Sequence, residues 1–155
     1  MINAYDKTAA SELINEIGAS PEMLVQILNA FVEKFSYISD EAIRHIADEV
    51  NLSRADVHGV VSFYHDHRTA PPGKRIIKIC QAESCQAMGS NSLTAHAEKA
   101  LGVSMHKTSD DGEVTLEPVY CLGNCACSPA IMIDSRVYGR VDAKRFDDLM
   151  ARTKG

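Results

Sequence analysis

The 155-residue sequence has no tryptophan, and aromatic residues make up only 6% of it. It has no apolar run of about 18 residues and no basic N-terminus followed by an apolar stretch, so it shows neither a membrane span nor a secretory signal. The net charge is −5 and the basic residues do not cluster, which gives nucleic-acid binding little support. We therefore expect a cytoplasmic protein that neither inserts into a membrane nor binds nucleic acid.

Cysteine is the residue type that composition leaves unexplained. There are five cysteines, an odd number, and a reducing compartment disfavours disulfides. The length and the 45% apolar content are sufficient for a core without disulfide bonds. Metal binding or thiolate chemistry is therefore the better explanation of these cysteines.

The first half of the chain has the apolar periodicity of amphipathic helices. ASPEMLVQILNAFVEKF is predicted as a helix capped by Ser20, SDEAIRHIADEVN as a second, and SRADVHGVVSFY as a third that opens with a capping box of Ser53 and Asp56. A weaker helix is predicted around residues 11–17. Residues 1–72 are thus expected to form a small helical bundle followed by the linker HRTAPPGKR.

After the linker the periodicity changes. RIIKIC, VSMHKT, EVTLEPV, AIMID and RVYGRV are predicted as strands, and SNSLTAHAEKALG and DAKRFDDLMAR as helices. The order β-α-β-β-β-β-α is typical of an α/β or α+β sandwich in which helices pack on a mixed sheet. We assign residues 73–155 to this second domain.

Four of the cysteines form two pairs. Cys80 and Cys85 have the spacing C-x4-C, and Cys121 and Cys125 have the spacing C-x3-C. Each pair lies where a predicted strand leads into a loop, so two such loops could close a four-thiolate site. Four thiolates suit zinc or an iron–sulfur cluster, and the wide spacings favour the cluster while leaving zinc open.

Two neighbouring features suit the larger, negatively charged cofactor. Gly123 allows a left-handed turn from which loop N–H groups can point at a thiolate. The helix after CQAESC would direct its positive N-terminal end toward the same anion.

The motifs CQAESC and CLGNCACSP resemble those of the thioredoxin-like [2Fe–2S] ferredoxins. This family includes the 24-kDa-type subunit of complex I and related subunits of NAD-linked hydrogenases and formate dehydrogenases. VHGVVSFY in the first half also resembles the family, so the likeness extends roughly from Pro21 to Phe146. The resemblance implies an α/β, thioredoxin-like [2Fe–2S] domain preceded by a helical bundle. It also implies one [2Fe–2S] cluster, with these ligands: Cys80, Cys85, Cys121 and Cys125.

Within the family, CLGNCACSPA and the short chain look most like the gamma subunits of soluble, molybdenum-containing, NAD-dependent formate dehydrogenases. Cys127 stands where complex I subunits usually have asparagine. The implied role is that of a non-catalytic one-electron carrier, which exchanges electrons with a flavin- and NAD-binding subunit while a molybdenum-containing subunit oxidises formate. The alternatives are the equivalent subunit of an NAD-linked hydrogenase or complex I and, from another class, a structural zinc-binding interaction module.

Other candidate groups receive simpler interpretations. Cys127 is expected to pack beside the cluster rather than to bind it. His65 and His67 suggest a Rieske-type site, but the four cysteines already complete a ligand set, so we expect a solvated helix end. Thioredoxin-type catalysis needs C-x-x-C, which neither pair has. Pro129, just before the AIMID strand, is a candidate cis-proline.

Overall fold

The computed structural model describes residues 5–152 and divides the chain into two compact units between Pro71 and Pro72. The described part of the first unit contains helices and no strand, and the second unit contains the sheet. No helix in the described part of the chain is both long and apolar enough to cross a membrane.

The first unit contains four α-helices in its described residues: α1 (Lys7–Ile17), α2 (Leu24–Phe35), α3 (Asp40–Glu49) and α4 (Arg54–Phe63). Their apolar faces share one core, in which the predicted stripe of α2 is buried. The capping box of Ser53 and Asp56 is present. Helix α2 begins later than the sequence indicates, because Pro21–Met23 forms a 3-10 turn and the Ser20 side chain makes no capping bond.

The expectation that His67 lies on a solvated helix end is wrong. Its side chain is buried, and its Nε2 lies 3.0 Å from Oδ1 of Asn29 on α2. The chain after α4 therefore packs back on the helices, and burial lowers the pKa of the imidazole, which favours its neutral form.

The second unit is built on a five-stranded mixed sheet with the strand order β2-β3-β1-β4-β5. Its strands are β1 (Arg75–Cys80), β2 (Lys107–Thr108), β3 (Val114–Val119), β4 (Ile131–Ile133) and β5 (Arg136–Tyr138). Strand β1 is central, because it pairs in parallel with β3 and antiparallel with β4. The sheet and its flanking helices confirm the predicted fold class.

Three helices accompany the sheet: α5 (Glu83–Ala87), α6 (Ser90–Leu101) and α7 (Ala143–Arg152). Helix α6 ends at Gly102, which has the predicted left-handed conformation with φ +65°. Helices α6 and α7 contribute Leu93 and Phe146 to a core whose other large members include Ile77 and Leu116 of the sheet. The sequence did not predict α5, since five residues are too few to show helical periodicity.

Two phenylalanines of the first unit provide a matched test of its core. Phe31 is fully buried, whereas Phe63 is 74% exposed. We expect Phe31→Ala to lower the free energy of unfolding by about 3–5 kcal/mol, because it removes transfer energy and leaves a cavity. Phe63→Ala should change it by less than about 0.5 kcal/mol. Chemical denaturation followed by far-ultraviolet circular dichroism measures both, and equal losses in the two variants would contradict the core described here.

Candidate metal centre

The two cysteine motifs leave the sheet side by side. The parallel pairing of β1 and β3 places Cys80 opposite Val119, and Cys121 follows two residues later. The backbone N–H of Gln81 donates to the carbonyl of Val119 at 2.8 Å, which continues the pairing past the end of β1. Two segments that are far apart in sequence therefore begin their loops at the same edge of the sheet.

The loop after β1 is held by hydrogen bonds to helix α6. The buried Ser90 hydroxyl donates to the carbonyl of Cys80, and the Gln81 side-chain amide donates to Oγ1 of Thr94 at 2.8 Å. Between these anchors, the short helix α5 carries Cys85. Both Cys80 and Cys85 are buried, with 2% of each exposed.

The loop after β3 turns sharply around its first cysteine. Cys121 has a φ of +102°, which is uncommon for a residue with a side chain, and Gly123 has the left-handed turn expected from the sequence, with φ +70°. The N–H of Gly123 lies 3.4 Å from Sγ of Cys121, as expected of a loop that presents donors to a thiolate. A 3-10 turn over Cys125–Cys127 follows.

The segment after β5 closes this second loop. The N–H of Arg140 donates to the carbonyl of Cys127, and the N–H of Val141 donates to the carbonyl of Pro129. A Cβ atom added to Gly139 would lie 2.6 Å from Cβ of Cys127 and 2.7 Å from Nδ2 of Asn124. Only glycine fits here without displacing the cysteine loop. The signal in the sequence was a glycine directly after a strand, which often marks close backbone approach.

The thiols meet in pairs. Sγ of Cys121 and Sγ of Cys125 are 3.7 Å apart. Two sulfurs that each lie about 2.3 Å from one tetrahedral metal ion are about 3.8 Å apart, so this pair already has the separation of two ligands on a single ion. The Cys80 and Cys85 thiols hydrogen-bond with each other, and the backbone of Cys121 hydrogen-bonds with Cys80.

Interactions within the pairs oppose simultaneous ionisation of both thiols. Burial raises the pKa of Cys80, and its hydrogen bond with Cys85 raises it further. Burial also acts against ionisation of Cys85, but hydrogen bonds with Ser128, the backbone of Ala130 and Cys80 outweigh it and lower its pKa. The pKa of Cys125 is raised by its hydrogen bond with Cys121 and by repulsion from that thiol. A bound cation would remove the repulsion between thiolates, so the pairs suit metal binding.

The donor set fits a cofactor with two metals better than a single ion. Among residues 5–152, no group of three or more histidine, cysteine or carboxylate side chains is arranged around one point as a single ion requires. Two adjacent pairs, each supplying two thiolates, match the ligand demand of a two-iron cluster.

The remaining cysteine, Cys127, lies beside the pairs and is partly buried. It belongs to the same turn as Cys125, and its backbone is held by the contact with Gly139 and Arg140. The peptide bond between Ser128 and Pro129 is cis, as the sequence suggested.

The family model of the thioredoxin-like [2Fe–2S] ferredoxins matches residues 10–154 of this chain. The chain belongs to this family. Its cofactor is accordingly a [2Fe–2S] cluster.

Several relatives of this ferredoxin are parts of larger complexes. It is 35% identical over 117 residues to the E-type component of the NADH-quinone oxidoreductase of Pseudomonas aeruginosa, with 76% of this chain and 70% of that protein covered. It is 28% identical over 143 residues to HndA, a component of the NADP-reducing hydrogenase of Solidesulfovibrio fructosivorans, with 90% and 84% covered.

A solved structure confirms the likeness of fold. The crystal structure of an air-oxidised NAD⁺-reducing [NiFe]-hydrogenase matches 90% of this ferredoxin with a TM-score of 0.72 and 21% identity. The match spans 24% of the hydrogenase chain, so it concerns one part of that longer protein.

Gly139→Ala should impair cluster binding, because the new Cβ would collide with Cys127 and Asn124 and displace the loop that carries Cys121 and Cys125. We expect less iron and acid-labile sulfide per chain and a weaker visible absorbance than in the unchanged protein. Gly59→Ala is the matched control, since a Cβ there meets no atom within 4 Å. Normal cluster content in Gly139→Ala would contradict the role given to this close contact.

Proposed function

We propose that this ferredoxin is the one-electron [2Fe–2S] subunit of a multi-subunit NAD-linked oxidoreductase. Cys80 and Cys85 bind one iron, and Cys121 and Cys125 bind the other. The observation that carries the proposal is the meeting of these two thiol pairs at the adjacent ends of β1 and β3. The bound cluster supplies reversible one-electron transfer.

The environment of the four thiols supports this role. Cys80 and Cys85 are buried, whereas Cys121 and Cys125 are exposed. The second pair therefore offers a partner subunit close access to the cofactor, while the first pair is shielded from water. This arrangement serves electron exchange with a partner, and the chemistry of substrates belongs to the other subunits.

The partner that we infer directly is a flavin- and NAD-binding subunit. The relatives support it, because an NADH-quinone oxidoreductase and an NADP-reducing hydrogenase both act on nicotinamide cofactors. Such a cofactor exchanges two electrons as hydride, whereas an iron–sulfur cluster takes one at a time, so a flavin between them reconciles the two.

We further infer that the complex is an NAD-dependent formate dehydrogenase, with this chain as its gamma subunit and a molybdenum-containing subunit that oxidises formate. The support is the resemblance of CLGNCACSPA, including Cys127, to those subunits. The relatives favour instead the equivalent position in complex I or an NAD-linked hydrogenase. These alternatives share the same site and differ only in the partners.

Alanine substitution tests the ligand set. We expect Cys80→Ala, Cys85→Ala, Cys121→Ala and Cys125→Ala each to lose most of the bound iron and sulfide, because each leaves one iron with a missing thiolate. Cys127→Ala is the matched control and should retain the cluster. Iron and sulfide analysis with visible absorption spectroscopy measures all five.

Two results would contradict the proposed ligands. One is loss of the cluster in Cys127→Ala together with retention in Cys125→Ala, which would exchange their roles. The other is a colourless wild-type protein with one zinc per chain and no acid-labile sulfide, which would identify a structural zinc module instead.

Co-purification tests the assignment to a complex. A tagged copy expressed in its native cells should bring down a flavin-containing, NAD-binding subunit and a molybdenum-containing subunit, and the isolated complex should reduce NAD⁺ with formate. A complex that couples NAD to hydrogen or to quinone, and is inactive with formate, would contradict the formate dehydrogenase assignment and support the corresponding alternative.

A further inference from the structure

Two serine hydroxyls connect the cysteine motifs. Oγ of Ser128 lies 3.5 Å from Sγ of Cys85 and 2.8 Å from the carbonyl oxygen of Cys125. Oγ of Ser84 lies 2.9 Å from Oγ of Ser128 and 3.2 Å from the same carbonyl. Ser128 is buried, with 8% exposed, so water competes little for its hydrogen bonds.

The number of protons in this network changes when Cys85 becomes a ligand. As a free thiol, Cys85 donates to Ser128, and the Ser128 hydroxyl donates to the carbonyl of Cys125. As a metal-bound thiolate, Cys85 has no proton and can only accept. Two hydroxyl protons then face two acceptors, the Cys85 sulfur and the Cys125 carbonyl.

The distances show how the two acceptors would be satisfied. Ser84 already lies within hydrogen-bond distance of the Cys125 carbonyl and can occupy it alone. The hydroxyl of Ser128 is then available to rotate toward the Cys85 sulfur, since a serine hydroxyl turns freely about its C–O bond. No backbone movement is required.

We propose that Ser128 donates a hydrogen bond to the Cys85 thiolate and thereby raises the reduction potential of the cluster, with Ser84 as the residue that frees it to do so. This inference rests on the proposed ligand set. Reduction adds one electron to the cluster, and no proton leaves Ser128. The added negative charge strengthens a hydrogen bond to sulfur, so the bond stabilises the reduced form more than the oxidised form.

The effect is local to this chain. The Ser128 hydroxyl is the group that lies within hydrogen-bond distance of the buried Cys85 sulfur, and it comes from the loop that carries the other cysteine pair. Ser128 is a positioning residue for electron density on the cluster rather than a ligand.

Redox titration followed by electron paramagnetic resonance tests the proposal on the full chain with its cluster bound. We expect Ser128→Ala to lower the equilibrium constant for electron uptake about threefold to tenfold, where tenfold corresponds to about 59 mV for a one-electron couple. Ser128→Thr retains a hydroxyl and should restore most of the potential. Ser84→Ala should give a smaller fall, because one hydroxyl must then serve both acceptors, and adding Ser84→Ala to Ser128→Ala should lower the potential no further.

Ser62→Ala is the control, because it removes a hydroxyl that donates to the Gly59 carbonyl in the other unit, and it should leave the potential unchanged. An unchanged potential in Ser128→Ala would overturn the proposal, and so would equal falls in Ser128→Ala and Ser128→Thr. If Ser128→Ala fails to bind a cluster, Ser84→Ala decides, and an unchanged potential there overturns the proposal.

These outcomes are separable from failure of the proposed function. A wild-type chain without two irons and two sulfides would contradict the ligand set itself. A wild-type chain with an intact cluster whose potential ignores Ser128 would contradict only the role of the hydroxyl.

Discussion

The parallel pairing of β1 with β3 is the constraint on which the site depends. Because Cys80 ends β1 opposite Val119 near the end of β3, the loops that follow both strands start at the same edge of the sheet. A shift of this register by two residues, which preserves the buried face of each strand, would move one motif by about 7 Å relative to the other. The buried side chains of Ile77, Ile79 and Leu116 that hold this register therefore also set the separation of the two thiol pairs.

The same arrangement makes the site asymmetric. The first pair lies under α5 and beside Ala130, whereas the second pair lies on an exposed loop. Burial on one side limits the access of water to the cofactor, and exposure on the other allows another subunit to approach it. An electron carrier benefits from both, since solvent access and hydrogen bonds to sulfur are among the factors that set its potential.

Much of this site was accessible from the sequence, for identifiable reasons. Cysteine pairs after β-rich runs indicated thiolates at strand ends, and Gly123 indicated the left-handed turn that the loop adopts. Helix starts such as the Ser53 capping box were also correct, because they depend on neighbouring residues alone. The parallel register of β1 and β3 could not be derived from local patterns, since it depends on residues about 40 positions apart. For the same reason His67, Gly139 and Ser128 were misjudged or missed: their roles arise from contacts with Asn29, Cys127 and Cys85 that no local pattern encodes.

The central claim is that each cysteine pair binds its own iron. Anomalous diffraction at the iron absorption edge, on crystals of the chain purified with its cofactor, tests it most directly. The account predicts two iron positions, one bonded to the sulfurs of Cys80 and Cys85 and the other to those of Cys121 and Cys125. A single metal bonded to all four sulfurs, or an iron bonded to Cys127 in place of Cys125, would contradict it.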